Sequence, residues 1–137
     1  MKKKLAYILV LVFLCSLSFC QTISDTLAIQ KNDPIGMTVD QFNLRTGIKN
    51  RLVLVNLKAD WCVVCIRQEP ILDEIKIEKQ NKIELIVINM EDNPLIAAYF
   101  EVDALPMILL YKNGVLVWTH IGFIEKKQFL EFLRPYE

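Results

Sequence analysis

Beyond residue 37 the chain alternates between unbroken apolar runs and segments whose apolar residues recur at helical spacing. The run Leu52-Val53-Leu54-Val55-Asn56-Leu57 predicts a central strand covered on both faces, because a strand with only one buried face would show polar residues at every second position. Ile83-Glu84-Leu85-Ile86-Val87-Ile88, within 82–90, predicts a second buried strand. Met107-Ile108-Leu109-Leu110-Tyr111 and Val115-Leu116-Val117-Trp118 flank Lys112-Asn113-Gly114, and Asn-Gly between two strand-like runs is the strongest short signal for a hairpin.

Between the strands lie helical patterns. Thr38-Val39-Asp40-Gln41-Phe42-Asn43-Leu44 predicts a short helix capped by Thr38. Val63 to Lys79 predicts a longer one, with Ile66, Ile71, Leu72, Ile75 and Ile77 as its buried stripe and Pro70 expected to kink it through the hydrogen bond its ring removes. Asn93-Pro94 starts a short helix through Phe100, since Asn caps well and Pro suits the first turn. Glu125 to Leu133 closes the chain as an amphipathic helix with Phe129, Leu130, Phe132 and Leu133 available for packing. The expected fold is α/β, a central mixed sheet with helices on both faces.

The N-terminus carries a different signal. Lys2, Lys3 and Lys4 precede the apolar stretch Leu5 to Leu14, which ends in Cys15-Ser16-Leu17-Ser18-Phe19-Cys20, the form of a secretory signal peptide. Leu5 to Phe19 is 15 residues, short of the ~20 that cross a bilayer as a helix. The expected organisation is a signal peptide over 1–20, an N-terminal extension over 21–37 and one domain over 38–137. Cleavage after Cys20 would place Ser18 and Cys20 at the small-residue positions. Alternatives are an uncleaved anchor or a lipid anchor on Cys20, the latter disfavoured by bulky Phe19. The expected location is the periplasm or cell envelope.

The whole chain has 16 basic and 16 acidic residues. Without Lys2, Lys3 and Lys4 it is left net acidic, with no basic footprint for nucleic acid.

Simple cleavage would also leave Cys62 and Cys65 as the remaining cysteines, and an exported chain with one such pair reads as a redox protein before a stapled scaffold. They lie in Trp61-Cys62-Val63-Val64-Cys65, between the strand and the long helix. At a helix start, unpaired N–H groups and the positive dipole end favour a thiolate, which makes Cys62 the candidate nucleophile. Cys65, one turn on along the same face, is the candidate resolving thiol. Half of a zinc site is one alternative, but about four ligands are needed and His120 with the two N-terminal cysteines offers few. A structural bridge is the other, though so small a loop constrains little chain entropy. No metal and no dissociable cofactor are expected, because the electrons reside on the cysteine pair.

With Ala59-Asp60 before that motif, Pro70-Ile71-Leu72-Asp73-Glu74-Ile75 in the following helix, Ala104-Leu105-Pro106 before the hairpin and Gly122 after it, the chain resembles the thioredoxin family from about Thr38 to Leu133. The resemblance implies a cis Pro106 facing the dithiol, Leu105 pairing through its backbone with an extended substrate segment, and a groove lined by Trp61, Leu105, Pro106, Ile121, Gly122 and Phe123. Core packing is the plainer account of Ile121. The local string is also similar to the periplasmic thioredoxin-like domain of bacterial transmembrane thiol reductases, which implies a reductive role fed by a separate upstream thiol reductant. The implied partners are disulfide-containing or dithiol proteins, and the implied state is a monomer. A disulfide oxidase or isomerase, and a redox-silent client-binding module, are the rival functions.

Two positions depart from the family. Asn56 and Val87 stand where thioredoxins usually place a buried Asp and a Lys, and an amide cannot take up a proton at ordinary pH. Glu69, one helical turn beyond Cys65, is the candidate substitute acid, against the plainer reading of a solvated helix residue. Asp60 is a weaker candidate, and His120 reads as a surface residue at a strand end. Val63-Val64 adds no positive charge between the thiols, which argues against a strong oxidant.

Overall fold

The computed structural model describes residues 36–136, so the proposed signal peptide and most of the N-terminal extension lie outside the described residues. In chain order the elements are α1 (Val39–Thr46), β1 (Leu52–Lys58), α2 (Val63–Glu78), β2 (Ile83–Asn89), α3 (Pro94–Tyr99), β3 (Met107–Lys112), β4 (Val115–Ile121) and α4 (Lys126–Leu133), followed by a 3₁₀ turn over Arg134–Tyr136. The strands form one mixed sheet in the order β2-β1-β3-β4, with β1 parallel to β2 and antiparallel to β3, and β3 antiparallel to β4.

The apolar run of β1 is buried from Leu52 through Leu57, as a strand covered on both faces must be. Alternation sends its side chains to two separate cores. Leu52 and Leu54 meet Leu72 and Ile75 of α2 and Phe129 and Leu133 of α4. Val53, Val55 and Leu57 meet Phe42 of α1 and Ile96 of α3. Asn56 and Lys58 share the parity of Leu52 and Leu54 and therefore face α2.

The structure corrects the sequence expectations at several points. The second strand is not buried throughout: β2 is an edge strand, and Val87 is 49 % exposed. In α2 the buried stripe is Cys65, Gln68, Leu72 and Ile75, whereas Ile66 and Ile77 are exposed because they fall on the opposite side of the turn. Pro70 lies within the continuous span of this helix. Asn93 precedes α3 without a side-chain cap, since its amide instead accepts from Met37 N–H at 2.7 Å and donates to Asn89 O at 2.8 Å. Thr38 caps α1 in a full capping box with Gln41.

The β3–β4 turn has positive φ at both Asn113 (54°) and Gly114 (84°), the pair of conformations that a two-residue hairpin loop with strand-matched twist requires. β4 runs on to Ile121, and its Trp118 stacks on Phe129 and Phe132 of α4 with ring centroids 5.5 and 5.1 Å apart.

Candidate active site

The two cysteines sit where β1 hands over to α2. Cys62 is the N-cap residue of the helix, with extended backbone (φ −81°, ψ 97°), and its Sγ accepts a hydrogen bond from Cys65 N–H at 3.1 Å. This is the role a Ser or Asp oxygen usually plays, here taken by sulfur. The pair forms a disulfide with Cα atoms 5.2 Å apart, and both residues are buried, Cys62 5 % and Cys65 1 % exposed. When the bridge opens, the same N–H and the positive end of α2 face Cys62 Sγ, an arrangement that favours an anionic sulfur.

A second loop closes over the pair. Leu105 packs against Ala59, Cys62 and Cys65, and the Leu105–Pro106 peptide bond is cis. Gly122 N–H donates to Pro106 O at 2.8 Å, and Gly122 holds φ at +92°, a conformation that glycine adopts without a Cβ penalty. Ile121, half exposed, is a surface residue beside this turn and not part of the core. Trp61 is 69 % exposed and lines, with Met90, Val102 and Leu105, a cleft of about 360 Å³ next to the dithiol. Val63, Val64 and Ile66 add further exposed apolar surface around the sulfurs.

On the α2 face of β1 lies a third group of side chains. Lys58 Nζ donates to Glu69 Oε1 at 2.5 Å, and Asp60 stands 3.9 Å from the same ammonium, itself largely exposed. The hydrogen bond to Glu69 pushes the Lys58 pKa up, against the smaller opposing effect of desolvation. Asn56 is wholly buried, and among the described residues neither its Nδ2 nor its Oδ1 has a hydrogen-bond partner. Asn56, Lys58, Glu69, Leu72, Asp73, Leu85 and Val87 together line a pocket of about 210 Å³.

Two residues that sequence reasoning passed over take structural roles here. Lys58 ends the apolar run of β1, and only its parity on the strand signals that it faces α2. Gln68 is fully buried and forms a two-way amide pair with Ile124, accepting from its N–H at 2.8 Å and donating to its carbonyl at 3.3 Å. His120 is partly buried, stacked on Trp118 at 5.6 Å, with Nε2 3.3 Å from Phe123 O. Among the described residues no group of His, Cys, Asp and Glu side chains gathers where it could hold a metal ion.

The family model described as Thioredoxin matches residues 34–135. The chain is similar to the thioredoxin of Rickettsia typhi, 37 % identical over 81 residues that cover 59 % of this chain and 77 % of the relative. It is also similar to the thioredoxins of Buchnera aphidicola (37 % over 86 residues, 63 % of this chain and 79 % of the relative) and Pyropia yezoensis (38 % over 90 residues, 65 % and 84 %).

Proposed function

The chain belongs to the thioredoxin family as a redox protein with a Cys62–Cys65 pair, and from that premise we propose that it is an exported reductant of protein disulfides. The observation that carries this reading is the buried cysteine bridge at the start of α2, with Cys65 N–H directed at Cys62 Sγ. In the reduced protein, Cys62 attacks a substrate cystine and forms a mixed disulfide, while the first substrate sulfur departs as a thiol. Cys65 then displaces the second substrate sulfur and closes the bridge seen here. Trp61, Leu105, Pro106, Ile121 and Gly122 form the surface against which the partner chain lies. A separate thiol reductant restores the dithiol.

Export rests on the Lys2–Lys4 and Leu5–Phe19 pattern, and the periplasm or envelope is the proposed location, with lipidation of Cys20 as the variant that would tether it. The reducing direction is supported by Val63-Val64, which leaves the thiolate without the extra positive charge of a strong oxidant. Equilibration of the purified protein with a glutathione redox buffer tests it. The expected potential is near that of thioredoxin, about −270 mV, whereas a value near about −120 mV would assign the protein to the oxidases.

Glu69 is the proposed acceptor of the Cys65 proton, because it is ionisable and stands one turn beyond that residue on α2. A Glu69→Gln variant is expected to slow disulfide reduction about 10-fold or more and to flatten its pH profile. A profile superimposable on that of the unsubstituted protein would remove Glu69 from the reaction.

A further inference from the structure

At the dithiol end of the sheet the strands open into a row of loops, and the order β2-β1-β3-β4 sets their places in that row. Met90 and Glu91 follow β2, residues 59–62 follow β1, Leu105 and Pro106 lead into β3, and Gly122 and Phe123 follow β4. The dithiol therefore lies in the middle, with one flank beyond β2 and the other beyond β4.

The two flanks carry opposite charge. On the β2 flank Glu91 and Asp103, both exposed, line the Trp61 cleft. Asp60 beside Trp61 has the same sign, though it stands 3.9 Å from Lys58. On the β4 flank the exposed Arg67 guanidinium of α2 lies over the Phe123 ring, 4.8 Å from its centroid. Among the described residues neither Glu91, Asp103 nor Arg67 forms an ion pair. Lys126, further along the β4 flank, is taken up by Glu74 and Glu78, and the exposed Glu125 and Lys127 are opposite in sign. Arg67 is thus the uncompensated cation of that flank. Resting on an aromatic face restricts its side chain before any partner arrives, and it leaves N–H donors for a carboxylate.

We propose that Arg67 is a specificity-determining residue, and that the protein prefers extended segments whose cystine lies between an acidic residue, received by Arg67, and a basic one, received by Glu91 and Asp103. The inference rests on the reductant reading above and adds the substrate class to it. Three strand spacings of about 4.8 Å separate β2 from β4, about 14 Å in all, which an extended chain rising about 3.3 Å per residue covers in about four residues. The two charges accordingly stand about two residues on either side of the reactive cysteine. Apolar side chains between them meet exposed Trp61 and Ile121. Charge pairs at such a rim act mainly on encounter and weaken with salt.

The test measures the second-order rate constant for reduction of disulfide-linked peptide homodimers by the reduced protein. Three peptides differ only at the positions two before and two after a single cysteine, which hold Lys and Glu, Glu and Lys, or Gln and Gln. One charged order is expected to react about 5-fold or more faster than the other, with the Gln peptide between them. The faster order gives the direction in which the segment lies, and the difference is expected to shrink toward unity in about 0.5 M salt. Arg67→Met keeps a side chain that packs on Phe123 and removes the charge, and it is expected to lower the ratio between the two orders about 3-fold. A Glu91→Gln/Asp103→Asn variant is expected to lower it by a similar factor from the other flank. Equal rates for the three peptides, or a ratio that Arg67→Met leaves as it was, overturn the charge selectivity and leave the reductant reading standing. Failure to reduce any of the three overturns both.

Discussion

A Cys65→Ser variant is expected to accumulate a covalent adduct with cystine-containing proteins, linked through Cys62, while Cys62→Ser forms none. In the bridge the two Cα atoms are 5.2 Å apart and both sulfurs lie in one small apolar cluster with Ala59 and Leu105. Cys65 therefore attacks a mixed disulfide as an intramolecular nucleophile, and well-oriented intramolecular groups reach effective molarities of about 10⁵ M or more. Serine at 65 has the size but not the nucleophilicity, so the adduct persists until an external thiol, present at far lower concentration, finds Cys62. The adduct's lifetime should lengthen by orders of magnitude. Non-reducing electrophoresis after thiol alkylation measures it, and the captured partners identify substrate and compartment together. An adduct that decays as quickly in Cys65→Ser as in the unsubstituted protein would show that Cys65 is not the resolving thiol.

The same experiment separates the enzyme from a redox-silent binding module. Partner retention by a Cys62→Ser/Cys65→Ser double variant, equal to that of the unsubstituted protein, would place the function in the apolar surface of Trp61, Val63 and Ile121 instead of the sulfurs.

How much of this was legible beforehand follows from how local each determinant is. The hairpin turn needs positive φ at two adjacent residues, and Asn113-Gly114 supplies them on the spot. The capping box of α1 is closed within four residues, so its N-cap, Thr38, is legible from those residues alone. The dithiol, its placement after a buried strand and its helix were equally contained in consecutive residues. Properties that depend on the order of strands were not. Ile83–Ile88 has the composition of an interior strand, yet nothing pairs with its outer edge among the described residues, and Val87 faces out.

Helix faces failed for a related reason. In α2 the four isoleucines Ile66, Ile71, Ile75 and Ile77 invite an apolar stripe, but the buried face is defined by Cys65 at the site and Gln68 at the far loop, and it excludes two of the four. The Lys58–Glu69 pair joins residues on different elements, and the pairing follows from strand parity plus the packing of α2 on that face. Asn93 kept its place before α3 but spends its amide on Met37 and Asn89.

Gln68 is the residue for which sequence and structure diverge most, and its removal should have a large effect on stability. Its amide satisfies both backbone groups of Ile124, a buried residue just after the turn whose Gly122 N–H holds Pro106 O. Gln68→Ala leaves two buried polar groups unpaired, at about 1–3 kcal/mol each, so a loss of roughly 2–6 kcal/mol is expected. For a domain of this size each kcal/mol lowers the melting temperature by about 4–8 °C, which puts the expected fall above about 8 °C. Gln68→Glu retains the acceptor for Ile124 N–H but sets a carboxylate against the Ile124 carbonyl, so its cost should be pH-dependent, smaller in acid where the protonated acid can donate to that oxygen. Thermal unfolding of both variants at pH 4 and pH 8 checks the pair, and amide hydrogen exchange at Gly122 and Ile124 locates the loosening. Exchange there as slow as in the unsubstituted protein would mean that the loop facing the dithiol is held by its contact with Pro106 alone, and that the Gln68 amide ties down α2 without reaching the active site.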